Sequence, residues 1–159
     1  MESIKEIFKI GNGPSSSHTM APRRAALEFA LRNPGAAGFS VTLYGSLAAT
    51  GKGHFTDKAL EDAFCPKPLE IQWDPATVLK QHPNGIEFRA LDENKNVLDT
   101  RLTFSIGGGD LSDTGKRSDR KVIYPLNKMS EILPYCQKNG IHFWEYVKMH
   151  EEPDIWDYL

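Results

Sequence analysis

Apolar and polar positions alternate with a period of two along several segments of the chain, the pattern of β-strands that bury one face. Two of these segments flank the polar run 92–96 and predict the clearest hairpin of the sequence. Glycines at 107–109 are expected to end the second strand of that hairpin. The predicted strands are 39–44, 69–73, 85–91, 97–106 and 121–124.

Capping residues and chain breakers around the remaining apolar segments predict helices. A capping box indicates a short helix that opens near Ser3, Thr56 is expected to cap one helix, and Asn127 is expected to cap another. Helices and strands do not alternate regularly, which favours an α+β fold with a mixed, largely antiparallel sheet covered by helices. The predicted helices are 20–32, 56–64, 127–138 and a following one to about 150, with one helical turn over 75–81.

The domain prediction follows from chain length and from the carboxyl-terminal aromatic residues. A chain of 159 residues suits one domain, which we assign to residues 1–152. Residues 153–159 carry aromatic side chains that need a surface to pack on, so we expect a helix or linker that leads to a further domain. The polar segment 110–120 is expected to be a mobile loop.

Charge and composition argue against a protein that binds nucleic acid or a membrane. The net charge is −2 with both signs spread along the chain, which gives no electrostatic footprint for nucleic acid or a membrane surface. No apolar run approaches the length of a membrane span. The two cysteines, Cys65 and Cys136, could form a disulfide, but a cytoplasmic protein with reduced thiols is the simpler interpretation. Two cysteines are too few for an iron–sulfur cluster of the usual kind.

The stretch 13–19 combines a glycine–proline turn with three serines, a histidine and a threonine at the start of a predicted helix. Unpaired backbone N–H groups and the helix dipole both favour an anion at such a place. A carboxylate or phosphate would suit it. The alternative is an ordinary serine-rich loop in which one serine caps the helix.

A second stretch, 44–57, superficially resembles a phosphate-binding loop. The pattern G-x-x-x-x-G-K-S/T fails, because five residues separate Gly45 from Gly51 and Gly53 follows Lys52 where a hydroxyl residue is required. We therefore exclude nucleotide binding. What remains is His54 in a glycine-rich setting, where it could act as an acid or base near neutral pH. The alternative is a surface histidine in a turn.

Two further stretches carry weaker signals. His82 precedes a proline and an asparagine–glycine turn that enters a strand, and taken alone it says little. The glycines Gly107, Gly108 and Gly109 directly after a strand suggest a sharp bend or a close approach to a ligand. A flexible linker is the competing account of these glycines.

Together these stretches resemble the β domain of bacterial iron–sulfur-dependent L-serine dehydratases. The resemblance covers essentially the whole chain, and its motifs occur in the family's order. Such a domain is itself similar to the regulatory amino-acid-binding domain of some phosphoglycerate dehydrogenases. Three departures stand out: a short segment between His54 and His82, Asp110 where an apolar residue is expected, and the missing α part. The matching segments are 9–19, 43–47, 50–54, 56–57, 82–85, 105–109, 124–125 and 133–136.

The resemblance implies an L-serine ammonia-lyase that converts L-serine to pyruvate and ammonia. It implies a [4Fe–4S] cluster held by an α domain or α subunit, no metal site in this chain, no nucleotide and no PLP. The isolated chain would then be inactive, and the complete enzyme a homodimer. The alternative is a non-catalytic serine-binding regulatory module, which needs donors and acceptors but no base.

The resemblance also implies roles for individual residues. His54 is the favoured base, and His18 and His82 are expected to orient the substrate or complete the catalytic site. The residues expected to bind substrate are Ser15, Ser16, Ser17, Thr19, Lys52, Gly107, Gly108 and Gly109.

Overall fold

The structure is a computed structural model that describes residues 1–116 and 121–159. These residues form two compact units. The sheet unit contains residues 11–116, and the helical unit contains residues 1–10 and 121–159. None of the helices in these ranges is long and apolar enough to cross a membrane.

A five-stranded mixed sheet forms the centre of the sheet unit. Its strands lie in the order β2-β1-β3-β4-β5. Strand β1 pairs in parallel with β2, and the other three pairings are antiparallel. The α+β prediction is therefore confirmed. The strands are β1 (Gly38–Tyr44), β2 (Leu69–Asp74), β3 (Gly85–Leu91), β4 (Val97–Gly107) and β5 (Asp110–Ser112).

Helices pack on this sheet and close its core. A π-helical turn (Ser16–Met20) runs directly into α1 (Ala21–Arg32). After β1 come α2 (Gly45–Thr50), a 3-10 turn (Gly51–His54) and α3 (Thr56–Phe64). Phe29 of α1 stacks on Phe88 of β3 at 5.5 Å between ring centroids, and Phe64 of α3 stacks on Phe39 of β1 at 4.3 Å. Burial of these aromatic rings holds both helices on the sheet.

The helical unit has its own small core. It contains a 3-10 turn (Ile4–Glu6), α4 (Met129–Asn139), α5 (Phe143–Lys148) and α6 (Ile155–Tyr158) around the buried side chains of Tyr124, Cys136 and Tyr146. The Glu151 carboxylate accepts hydrogen bonds from the Ser3 hydroxyl at 2.6 Å and the Tyr124 hydroxyl at 2.5 Å. Burial acts to raise the pKa of Glu151, but these hydrogen bonds outweigh it and the pKa is lowered.

Four sequence predictions about the type or bounds of elements are wrong. Residues 75–81 form bends without a helical turn, and residues 121–124 form no strand, because Ile123 and Tyr124 both donate to the single carbonyl of Met1. Residues 110–112 of the predicted loop 110–120 are a strand, since the turn after β4 folds β5 back onto it. Residues 117–120 of that prediction lie outside the described residues. Helix α4 begins after Lys128 instead of Asn127, because the Lys128 carbonyl accepts the first helical hydrogen bonds, from the N–H groups of Glu131 and Ile132.

Gly45 allows the end of β1 to pack against the turn that precedes β3. Its φ is +52°, and a Cβ atom there would lie 2.5 Å from the carbonyl oxygen of Pro83. The next residue, Ser46, donates its N–H to the same oxygen at 3.3 Å. A side chain at position 45 would therefore be strained both by the backbone conformation and by the contact.

We expect Gly45→Ala to lower the free energy of unfolding by more than about 1 kcal/mol, because it combines a left-handed residue with a backbone clash. Gly53→Ala is the matched control, since no atom lies within 4 Å of a Cβ built there. That control should be neutral or stabilising by about 0.4–1 kcal/mol. Urea denaturation followed by circular dichroism measures both, and equal stabilities of the two variants would contradict the expectation.

Candidate functional site

One end of the sheet carries the loops that the sequence motifs single out. Strand β1 ends at Tyr44, β3 begins at Gly85 and β4 ends at Gly107. The antiparallel register pairs Leu43 with Ile86, and Gly85 with Phe104, so these three strand ends are neighbours. The loops that contain His54 and His82, and the triple glycine, therefore all leave the sheet at this end.

The serine-rich stretch forms the start of a helix. Ser15 accepts the N–H of His18 on its hydroxyl at 3.1 Å, and its carbonyl accepts the N–H groups of Thr19 and Met20. The N–H groups of Ser16 and Ser17 come before these first helical bonds, so no carbonyl of the helix is available to them. They lie at the positive end of the helix dipole, where an anion is favoured.

Two buried threonines tie this helix start to the segment that contains His54. The Thr19 hydroxyl donates to the carbonyl oxygen of His54 at 2.7 Å. The Thr56 hydroxyl donates to the carbonyl oxygen of His18 at 2.5 Å, and it does not cap α3 as the sequence predicted. Because each threonine holds the backbone of the opposite histidine, the rings of His18 and His54 lie 4.9 Å apart between centroids.

The His54 ring is oriented by its own turn. Its Nδ1 lies 2.9 Å from the carbonyl oxygen of Thr50. A carbonyl can only accept a hydrogen bond, so Nδ1 carries the proton of the neutral ring. Nε2 then has a free lone pair. This is the tautomer that a general base needs.

His18 is held on both ring nitrogens. Its Nδ1 lies 2.9 Å from the Ser17 hydroxyl, and its Nε2 lies 3.5 Å from the Ser46 hydroxyl. Burial, followed by the nearby charge of His54, lowers the pKa of His18, and a contact with the Ser46 backbone only partly opposes this. His18 is therefore neutral at neutral pH and serves as a neutral hydrogen-bonding group.

His82 has the opposite tautomer to His54. The Asn84 N–H donates to Nδ1 of His82 at 3.1 Å, so the proton of the neutral ring lies on Nε2. The His82 turn is joined to the serine loop through Ser105. The Ser105 N–H donates to the Asn84 carbonyl at 3.0 Å, and the Ser105 hydroxyl donates to the Ser17 carbonyl at 2.8 Å.

The remaining predicted binding residues lie as follows. Lys52 is exposed, and its ammonium lies 5.6 Å from the centre of the Trp73 ring. The triple glycine forms the turn between β4 and β5, with φ values of +97°, +60° and +78° at Gly107, Gly108 and Gly109. These positive angles account for the three glycines, since a side chain would be strained at each position. The binding roles of these residues stay predictions.

Four further residues belong to the site although the sequence patterns did not indicate them: Ser46, Thr56, Asn84 and Ser105. All four lie inside stretches that carry the family resemblance, but nothing in their spacing distinguishes them from neighbouring turn or strand residues. Only their hydrogen bonds in the folded chain show which parts of the site these four residues position.

A cavity of about 290 Å³ lies at the other end of the sheet, where its lining includes the first residues of β1 and β2. No histidine lines this cavity. It lies at the opposite end of β1 from the loops that carry the sequence motifs. We therefore place the candidate site at the histidine end.

Within residues 1–116 and 121–159, no group of three or more histidine, cysteine, aspartate or glutamate side chains could hold a metal ion. Cys65 and Cys136 are free thiols that belong to different units. The described residues therefore do not fit an iron–sulfur cluster, which takes about four thiolates.

Fold and site together define an α+β domain that presents a pair of adjacent histidines and a hydroxyl-rich helix start at its strand ends. A family model described as serine dehydratase beta chain matches residues 3–64 and 62–116. The chain belongs to the serine dehydratase beta chain family.

Curated relatives support this assignment. The chain is 31% identical to an L-serine dehydratase of Haemophilus influenzae, in an alignment that covers 89% of this chain and 41% of the relative. It is 32% identical to an L-serine dehydratase of Helicobacter pylori, with 94% and 43% covered. It is also 32% identical to one of Mycobacterium tuberculosis, with 94% and 42% covered. The chain thus spans less than half the length of these relatives.

The two tautomers can be observed directly. In neutral rings we expect a protonated Nδ1 for His54 and a protonated Nε2 for His82, because a carbonyl faces the first and an amide N–H faces the second. Long-range ¹H–¹⁵N correlation spectra of the histidine rings at pH 8 report which nitrogen carries the proton. The same tautomer in both rings would contradict the assignment.

The pH response of His18 follows from its lowered pKa. The folded chain holds this proton less tightly than the unfolded chain, whose value is 6.5. Stability that depends on His18 is therefore complete above pH 6.5 and is lost as the pH falls through the lower folded pKa. An NMR titration should show a His18 midpoint below 6.5. His54→Gln should raise that midpoint without restoring it fully, because burial is the larger cause.

Proposed function

We propose that this chain is the β domain of an L-serine dehydratase and supplies the group that removes the α-proton of L-serine. The observation that carries the proposal is the free Nε2 of His54, whose tautomer is set by the Thr50 carbonyl. A domain that only binds serine has no need of such a base. The alternative function, that of a non-catalytic regulatory module, is therefore less well supported.

The serine-rich helix start is the proposed site for the substrate carboxylate. It offers the N–H groups of Ser16 and Ser17, and the Ser17 hydroxyl lies next to them. This helix start is fixed to the His54 segment by the Thr19 and Thr56 hydrogen bonds. A carboxylate bound there would bring the α-carbon of the same amino acid toward the paired histidines.

In the proposed reaction, His54 Nε2 takes the α-proton. The electrons of the broken C–H bond form a C=C bond as the β-hydroxyl leaves as hydroxide, which the cluster of the α part would accept as a Lewis acid. The enamine then gains a proton at its β-carbon and loses one from nitrogen, which gives the imine. Water then hydrolyses the imine to pyruvate and ammonia. His18, kept neutral by burial, orients the substrate, and His82 offers its Nε2–H as a donor.

The other parts of the complete enzyme are also proposals. We place the [4Fe–4S] cluster in an α domain or α subunit, because the relatives are more than twice as long as the part that this chain matches. The isolated chain should then release no pyruvate. The complete enzyme is proposed to be a homodimer in the cytoplasm.

Co-expression of the chain with an α part, followed by an assay for pyruvate, tests the proposal. We expect His54→Gln to lower kcat by about two to four orders of magnitude with a smaller change in KM, because proton transfer is lost while the carboxylate site remains. Asn94→Ala, at an exposed position in the hairpin turn between β3 and β4, is the control and should keep full turnover. Retained turnover in His54→Gln, with loss in His82→Gln instead, would move the base to His82.

A further inference from the structure

The helical unit exposes a large share of the apolar surface of this protein. Most of the large apolar side chains that are exposed in the described residues belong to this unit, although the sheet unit contains more than twice as many of those residues. Met129 is 61% exposed, Leu133 is 42% exposed and Phe143 is 46% exposed. Apolar surface that is concentrated in one part of a molecule marks contact with another protein or domain.

A groove of about 260 Å³ lies between α4 and α5 within this surface. Met129 and Leu133 are four positions apart on α4, so they share the face of the helix that borders the groove. Sites for small molecules measure about 300–1,000 Å³, so the α4–α5 groove is better suited to a single side chain of a partner protein. The residues that line the groove include Leu133, Cys136, Gln137, Ile141, His142 and Phe143.

The floor of the α4–α5 groove is part of the folded helical unit. Cys136 belongs to the core of that unit, and Ile141 packs against the same core. The Ile141 N–H donates to the Cys136 carbonyl at 3.0 Å, and the Glu145 carboxylate accepts the N–H of His142 at 2.8 Å. These bonds fix the turn between the two helices. A partner that docks here therefore meets a formed pocket, and this chain loses little conformational freedom on binding.

The relatives indicate which partner covers this groove. The match to the serine dehydratase beta chain model ends at residue 116, whereas the alignment with the Helicobacter pylori dehydratase covers 94% of this chain. What that alignment leaves uncovered is far shorter than residues 121–159, so this relative shares most of the helical unit. The alignment covers only 43% of the relative itself. The helical unit thus accompanies the longer enzyme while lying outside the part that the beta chain model describes.

We propose that the α part of the dehydratase docks on the α4–α5 groove and inserts an apolar side chain between Leu133 and Phe143. The inference rests on the proposed function, because it takes the α part as the remainder of the complete enzyme. It adds the surface by which this chain recognises that partner, and it separates this surface from the histidines that are proposed to act on the substrate.

Binding of the full chain to a tagged α part tests the inference. Biolayer interferometry under anaerobic conditions gives the Kd for the unmodified chain, for Leu133→Lys and for Phe143→Ser. Leu98→Ser is the matched control, because Leu98 is an apolar residue of β4 in the sheet unit and is 56% exposed. Circular dichroism spectra and thermal midpoints show whether each variant is folded. Sedimentation of the isolated chain shows whether it self-associates.

We expect Phe143→Ser to raise the Kd for the α part by about tenfold to a hundredfold, because it removes an aromatic side chain from the centre of the interface. Leu133→Lys should raise the Kd at least as much, because docking would bury an ammonium group without a partner. Leu98→Ser should bind like the unmodified chain. If one of the two groove variants does not fold, the other decides.

Several results would overturn the inference. These are an unchanged Kd in the folded groove variants, an equal loss of binding in Leu98→Ser, and no binding of the α part to the unmodified chain. A dimer of the isolated chain that both groove variants convert to a monomer would assign the groove to a second copy and also overturn it. A complex that depends on the groove but releases no pyruvate would overturn the proposed function and leave the docking surface standing.

Discussion

The candidate site depends on two hydroxyl–carbonyl hydrogen bonds that cross between segments far apart in the sequence. Thr19 holds the carbonyl of His54, and Thr56 holds the carbonyl of His18. Both threonines are almost completely buried, with 2% and 0% of their surface exposed. Water cannot compete for these bonds, so the backbones of the two histidines are fixed relative to each other. The contact between the rings follows from that constraint, and so does the part of the lowering of the His18 pKa that His54 adds to the larger effect of burial.

The sheet supplies the second part of the arrangement by bringing its strand ends together. Gly45 lets the end of β1 lie against the Pro83 carbonyl, and Ser105 near the end of β4 reaches the serine loop. Each of these two contacts is made by backbone atoms or by a hydroxyl group, so the segments that it joins must lie close together. The aromatic core formed by α1, α3 and the strands holds these ends at constant separation, because close-packed rings resist displacement.

Sequence patterns predicted much of this fold and less of the site. The hairpin of β3 and β4, and helices α1 and α3, follow from alternation, capping and breakers, which are local signals. Segments 75–81 and 121–124 were mispredicted because tertiary contacts, and not local propensity, decide their conformation. The motifs indicated where chemistry would lie, but the contact between the His18 and His54 rings depends on the Thr19 and Thr56 hydrogen bonds between distant segments, which one sequence does not reveal.

The hydrogen bond between His54 and Thr50 joins residues only four positions apart within the same helical stretch. The ring and the carbonyl that orients it therefore belong to one short covalent unit and move together. A loop rearrangement that opens or closes the surroundings of this unit would leave its internal geometry intact. The tautomer of the His54 ring is thus determined by residues close to it in the sequence, whereas its position beside the His18 ring is determined by contacts between distant segments. The two properties can change independently during evolution.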